Sequence, residues 1–179
     1  MNHFNLDNKK YSEGNTLIIA EACDNHFGSI DKAKKMIELA KKAGADVVKF
    51  QHHLPDEEML PDVPKSDNFN ESLYDFLKKN ALKLNDHKIL KDYCQKIGII
   101  YLCTPFSYQA AKELMTLNVC GFKIGSGELS DHPTIKKISE FKKPMLLSTG
   151  MSTHDEINET YSILLNKNIQ FGFMNCLSE

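Results

Sequence analysis

The chain has 179 residues, 41% of them hydrophobic, which suits one domain with a core of real size. With 22 basic against 24 acidic residues and no basic run interleaved with aromatics, the electrostatic footprint of a nucleic-acid binder is missing. No stretch reads as a signal peptide or a membrane span, and five cysteines without a Cys-x-x-Cys pair read as reduced thiols in a cytoplasmic protein.

Residues 1–15 read as an N-terminal extension. From Thr16 onward, apolar runs rich in β-branched or aromatic residues alternate with segments of helical period. The first strand covers Thr16 to Glu21. A helix follows over Ile30 to Ala43, with Ala33, Met36, Ile37 and Ala40 on one face and lysines on the other, and Gly44 closes it. The second strand spans Asp46 to Gln51. Leu54 to Leu84 is an insertion holding Pro55, Pro61 and Pro64, expected to be a substrate-covering loop with a short helix from Glu71 to Asn80. Helices are then expected over Asp86–Ile97, Tyr108–Leu117, Thr134–Phe141 and His154–Leu165, and strands over Gly98–Thr104, Val119–Gly125, Pro144–Thr149 and Gln170–Cys176.

The six strands are near-continuous apolar runs without strict alternation, the pattern of a parallel sheet. Strand starts after the second run recur every roughly 20 to 26 residues, the βα rhythm of a barrel or a doubly wound sheet. A closed eight-stranded barrel takes about 250 residues, so six units ending at Glu179 read as a barrel stopped partway.

Polar residues gather where these strands end, which is where such folds build active sites. The first strand exits through Glu21 into Asp24-Asn25-His26 and Gly28, and the second carries Lys49 and Gln51 on one side, followed by His52 and His53. The third ends in Thr104, the fourth opens from Lys123 into Gly125-Ser-Gly-Glu128, the fifth ends in Ser148, and the sixth leads into Asn175 to Glu179. An unpaired ammonium inside an apolar strand costs several kcal/mol, so Lys123 is not placed for stability. Two inward lysines with Thr104, Ser126 and Ser148 suit a small, multiply charged anion, such as a phosphate carrying a carboxylate. The alternative is that each lysine pairs with a buried acid such as Glu21 or Glu128. Of the histidines, His26 is balanced between touching substrate and a loop hydrogen bond, at most one of His52 and His53 can face a site, and His87, His132 and His154 read as surface or capping residues.

The blocks Ile18-Ile-Ala-Glu21, Asn25-His-x-Gly28, Ala43-Gly-Ala-Asp-x-Val-Lys-Phe-Gln51, Thr104-Pro-Phe106, Phe122-Lys-Ile-Gly-Ser-Gly-Glu128, Lys143-Pro144 and Leu147-Ser-Thr-Gly-Met151 resemble the sialic acid synthase family. That family comprises the phosphoenolpyruvate-dependent synthases of N-acetylneuraminic, legionaminic and pseudaminic acids. The resemblance implies an α/β fold of the TIM (β/α)8 type, here 16–179 as a barrel truncated after about six strands with the 54–84 insertion. It implies a reaction in which C3 of phosphoenolpyruvate joins the aldehyde of an open-chain 2-acetamido sugar, water adds at C2, and phosphate leaves. By resemblance Lys49, Thr104, Lys123, Ser126, Ser148 and Ser178 hold phosphoenolpyruvate, with Glu21 beside them. Glu128 handles protons, and Gln51 and Asn68 contact the sugar. The family's divalent cation, usually Mn2+, is held by two histidines that would lie beyond residue 179, so this chain has no metal ligands of its own and is expected to be inactive alone. A homodimer is implied for the complete protein. Two other readings stay open: a truncated, non-catalytic anion-binding module, and a Schiff-base aldolase using Lys123 or Lys49.

Overall fold

The structure, a computed structural model, describes residues 3–65 and 70–177. The chain opens with a hairpin of β1 (His3–Leu6) and β2 (Lys9–Ser12), antiparallel with Leu6 opposite Lys9. Asp7 and Asn8 both take positive φ (47° and 64°) at its two-residue turn, which matches the twist of paired strands. The N-terminal extension is therefore a built element. Its sequence signal, Asp-Asn between short segments with alternating apolar residues, is weak because each strand has only four residues.

Six parallel strands follow, each at an expected run: β3 (Ile19–Glu21), β4 (Val47–His52), β5 (Ile100–Pro105), β6 (Phe122–Ile124), β7 (Met145–Ser148) and β8 (Phe171–Met174). They form two three-stranded ladders, β3-β4-β5 and β6-β7-β8, and β6 lies alongside β5 without a ladder between them. Between them run α1 (Ile30–Lys42), α2 (Leu73–Asn80), α3 (Leu84–Ile97), α4 (Tyr108–Thr116), α5 (His132–Ser139) and α6 (His154–Asn166). Helix α3 starts two residues before the expected Asp86, because Asp86 caps it by accepting from Lys83 N (3.0 Å). Helix α5 also starts early, since Asp131 accepts from Thr134 N and Pro133 sits in the first turn, where no N–H is required. The insertion contains a 3-10 turn at Pro55–Glu57 and α2, whose Leu77 is buried.

Strand alternation sorts the core into two parts. Outward residues, among them Val48, Phe50, Tyr101, Cys103, Phe122, Ile124, Met145 and Leu147, pack against Ala33, Ile37, Leu90, Leu114, Ile135 and Leu164 of the helices. Inward residues Val47, Ile100, Leu102 and Leu146 meet Leu6 and Tyr11 of the hairpin, which thus fills the amino-terminal end of the arc. Gln170 fastens it there, accepting from Asn5 N and donating to His3 O, both at 3.0 Å. Gly121 permits this closure: a Cβ would lie 2.8 Å from Pro144 O and 3.0 Å from Leu6. With the lower interior apolar and plugged, the polar inward residues are left at the carboxyl ends.

Candidate active site

In the register of the first ladder, Glu21, Lys49 and Leu102 stand abreast, and Gln51 faces Thr104 one inward step further on. Lys49 pairs with the Glu21 carboxylate and donates to Thr104 Oγ1 at 3.2 Å. In the second ladder Lys123 stands beside Leu146, with Ser148 one inward step beyond. Lys123 Nζ donates to Ser148 Oγ and to Ile124 O, each at 2.6 Å. Lys123 is only 6% exposed, and among the described residues no carboxylate lies within ion-pair distance of it. Burial, helped by the charge of Lys49, brings its pKa down to about 8, while Glu21 and Glu128 act the other way. Lys49 thus meets an acid, but an exposed one, and Lys123 meets none among the described residues, so the expected pairing of each lysine with a buried acid is not what the structure has.

Glu128 is half-buried and folds back over Gly125, where a Cβ would collide with its carboxylate oxygen. Burial raises its pKa against the pull of Lys123. Ser126 is partly exposed in the same loop. Gln51 donates to Cys23 Sγ (3.6 Å) and its Oε1 lies 3.3 Å from His53 Nε2. The Cys23 thiol is pushed up to about 11 by burial and then by Glu21, so it stays protonated. Asn68 and Ser178 lie outside the described residues.

Several histidines depart from expectation. His26 is fully buried, with Nδ1 accepting from Gly28 N (3.0 Å) and its ring 6.0 Å from Phe50, so it shapes the loop after β3 instead of meeting substrate. His87 is neither surface nor cap: it is fully buried with Nδ1 2.7 Å from Tyr101 Oη. His52 faces the helices, 2.9 Å from Glu113 Oε2, whereas His53 turns to the catalytic end, between Asp24 and Glu58. Sequence reasoning missed Asp24 and Glu58 as a pair around His53, because they flank it from two different loops. Among the described residues no three His, Cys, Asp or Glu side chains are arranged to hold a metal ion. No helix among them is long and apolar enough to cross a membrane.

Successive parallel strands with helices outside and polar side chains at their carboxyl ends define a protein of the TIM-barrel class. The family is equally definite. Residues 36–179 match the NeuB family model, and the chain belongs to that family. It is 37% identical to the N,N'-diacetyllegionaminic acid synthase of Campylobacter jejuni over 92% of this chain and 52% of that one. It is 32% identical to the N-acetylneuraminate-9-phosphate synthase of Mus musculus, over 90% of this chain and 46% of that one. The crystal structure of the N-acetylneuraminic acid synthetase of Leptospira borgpetersenii superposes with a TM-score of 0.90 at 27% identity, covering 99% of this chain and 60% of the other. The chain spans about half the length of the curated relatives it matches.

Proposed function

We propose that this chain carries the phosphoenolpyruvate-binding part of a synthase that condenses phosphoenolpyruvate with a 2-acetamido sugar, N-acetylmannosamine or a related deoxy amino sugar, to give a nonulosonic acid and phosphate. The observation that carries the reading is Lys123, a buried ammonium with a serine hydroxyl and, among the described residues, no carboxylate partner, close enough to Lys49 to feel its charge. Lys49 already has Glu21, but the charge on Lys123 is met by no carboxylate among the described residues, and an arriving anion would supply one. The phosphate takes Lys123, Ser148 and Ser126, and the carboxylate takes Lys49 and Thr104 after displacing Glu21. C3 of the enol attacks the sugar aldehyde, whose oxygen takes up a proton from solvent to become a hydroxyl. The cation at C2 takes up water, and the C2–O bond to phosphate breaks as the new C2 hydroxyl gives its proton to the departing phosphate and the ketone forms. The lysines offset charge on the departing phosphate. Glu128, its pKa raised by burial, accepts the proton released as water adds. The divalent cation of this reading, Mn2+, belongs outside the described residues, as do a homodimer partner and the closing part of the site. No step above depends on them.

Calorimetric titration tests the assignment. Phosphoenolpyruvate should bind the chain more tightly than inorganic phosphate or pyruvate alone, since each fragment satisfies only one lysine. Equal affinities, or no binding, would overturn it. One feature also favours a second reading: a lysine at about 8 is poised for Schiff-base formation. Borohydride reduction with pyruvate would leave a stable adduct on Lys123 if that reading held, and no adduct is expected.

A further inference from the structure

His53 stands where three loops of the catalytic end meet. Its ring stacks on Phe106, after β5, with centroids 4.1 Å apart and planes 20° from parallel. Nδ1 lies 2.8 Å from Glu58 Oε2, and the other oxygen of Glu58 accepts from Leu54 N, which fixes the start of the insertion. Nε2 lies 3.3 Å from Asp24 Oδ2 and 3.3 Å from Gln51 Oε1. The other oxygen of Asp24 faces His26 without a hydrogen-bond partner among the described residues. Gly28 N donates to His26 Nδ1, so neutral His26 carries its proton on Nε2, 3.6 Å from Asp24 Oδ1.

Both nitrogens of His53 therefore face carboxylates, which only accept, and both carry hydrogen. Burial alone would lower the pKa of this ring. The hydrogen bonds to Asp24 and Glu58, with their charges, outweigh it and bring the pKa up to about 9. The other titratable groups that sense this ring are His26, His52 and His87 behind it and Glu128 across the site. The consequence falls on Gln51. A carboxamide beside an N–H donor presents its oxygen to it, so its NH2 turns the opposite way, toward Cys23.

We propose that His53 is a positioning residue whose imidazolium form locks the Gln51 carboxamide with its NH2, and not its oxygen, offered at the mouth of the site. That the NH2 meets the acceptor sugar rests on the function proposed above. The lock itself does not.

Nitrogen NMR on the 179-residue chain tests it, following the His53 ring and the Gln51 side-chain amide between about pH 6 and about pH 10. Both should report one transition at about 9. Glu58→Gln should lower that transition by about one unit or more in both signals together. His53→Asn should remove it from Gln51 while the backbone spectrum persists. A ring that is neutral at neutral pH, or a Gln51 amide that ignores the ring's titration, would overturn the lock. Titration with N-acetylmannosamine separates the two claims. Sugar affinity that falls above about 9, and at lower pH in Glu58→Gln, supports both. Coupled signals without sugar binding at any pH support the lock and sink the sugar-binding role of Gln51.

Discussion

Lys123 gives the site its thermodynamic signature. Its folded pKa of about 8 lies below that of an unfolded lysine, so between about 8 and about 10.4 the unfolded chain holds more protons. Folding stability should therefore rise with pH across that window. Anion binding should run the other way and weaken as pH passes about 8, because the ammonium that binds is being lost. Opposite slopes in denaturant unfolding and in phosphoenolpyruvate titration would identify a group kept for its ligand. Lys123→Met should stabilise the chain at neutral pH by up to about 3 kcal/mol, the cost of holding the buried charge, while abolishing binding. A loss of stability would mean that the contacts to Ser148 and Ile124 outweigh burial. Gly125→Ala tests the carboxylate. The added methyl expels the Glu128 side chain toward water, and a carbon NMR titration should show its raised pKa fall back to the ordinary range.

At the level of elements, the βα order was legible because parallel strands are buried on both faces and read as apolar runs. All six appear where expected. The inward polar row was legible in part, since alternation alone puts Lys49 with Gln51, while the register that brings Lys123 to Ser148 came only with the ladder. Which acid meets which lysine was not legible, because Glu21 and Glu128 lie on different strands and loops and only the curvature of the arc decides their distances. His87 was misread for a similar reason: it lies in the first turn of α3, but its partner Tyr101 is on β5. The hairpin, nearly invisible in sequence, matters to the core. Leu6→Ala should cost about 2 to 4 kcal/mol in chemical denaturation, since that side chain plugs the inner cluster. Acid should act through the outward layer. Burial holds His26, His52 and His87 below their ordinary pKa, so the unfolded chain takes up more protons as pH falls through about 6.5. Stability should decline below that point, and His87→Phe should flatten the decline.

Over the whole molecule, six strands make an arc with β3 and β8 at its two ends, neither with a second strand neighbour among the described residues. A cavity of about 620 Å³ opens beside β8, lined by Leu17, Leu146, Phe171 and Gly172 together with the hairpin. Backbone amides of β4, paired on both sides, should exchange with solvent far more slowly than those of β8. Both lysines lie inside this arc, Lys49 on the well-paired β4 and Lys123 between β5 and β7, so the proposed anion site draws its lysines only from strands with neighbours on each side. The most direct measurement is a crystal structure of the chain soaked with phosphoenolpyruvate. The phosphate should sit on Lys123 and Ser148, with the carboxylate on Lys49 and Thr104 and Glu21 moved aside. An intact Lys49–Glu21 pair with the ligand elsewhere would contradict the account.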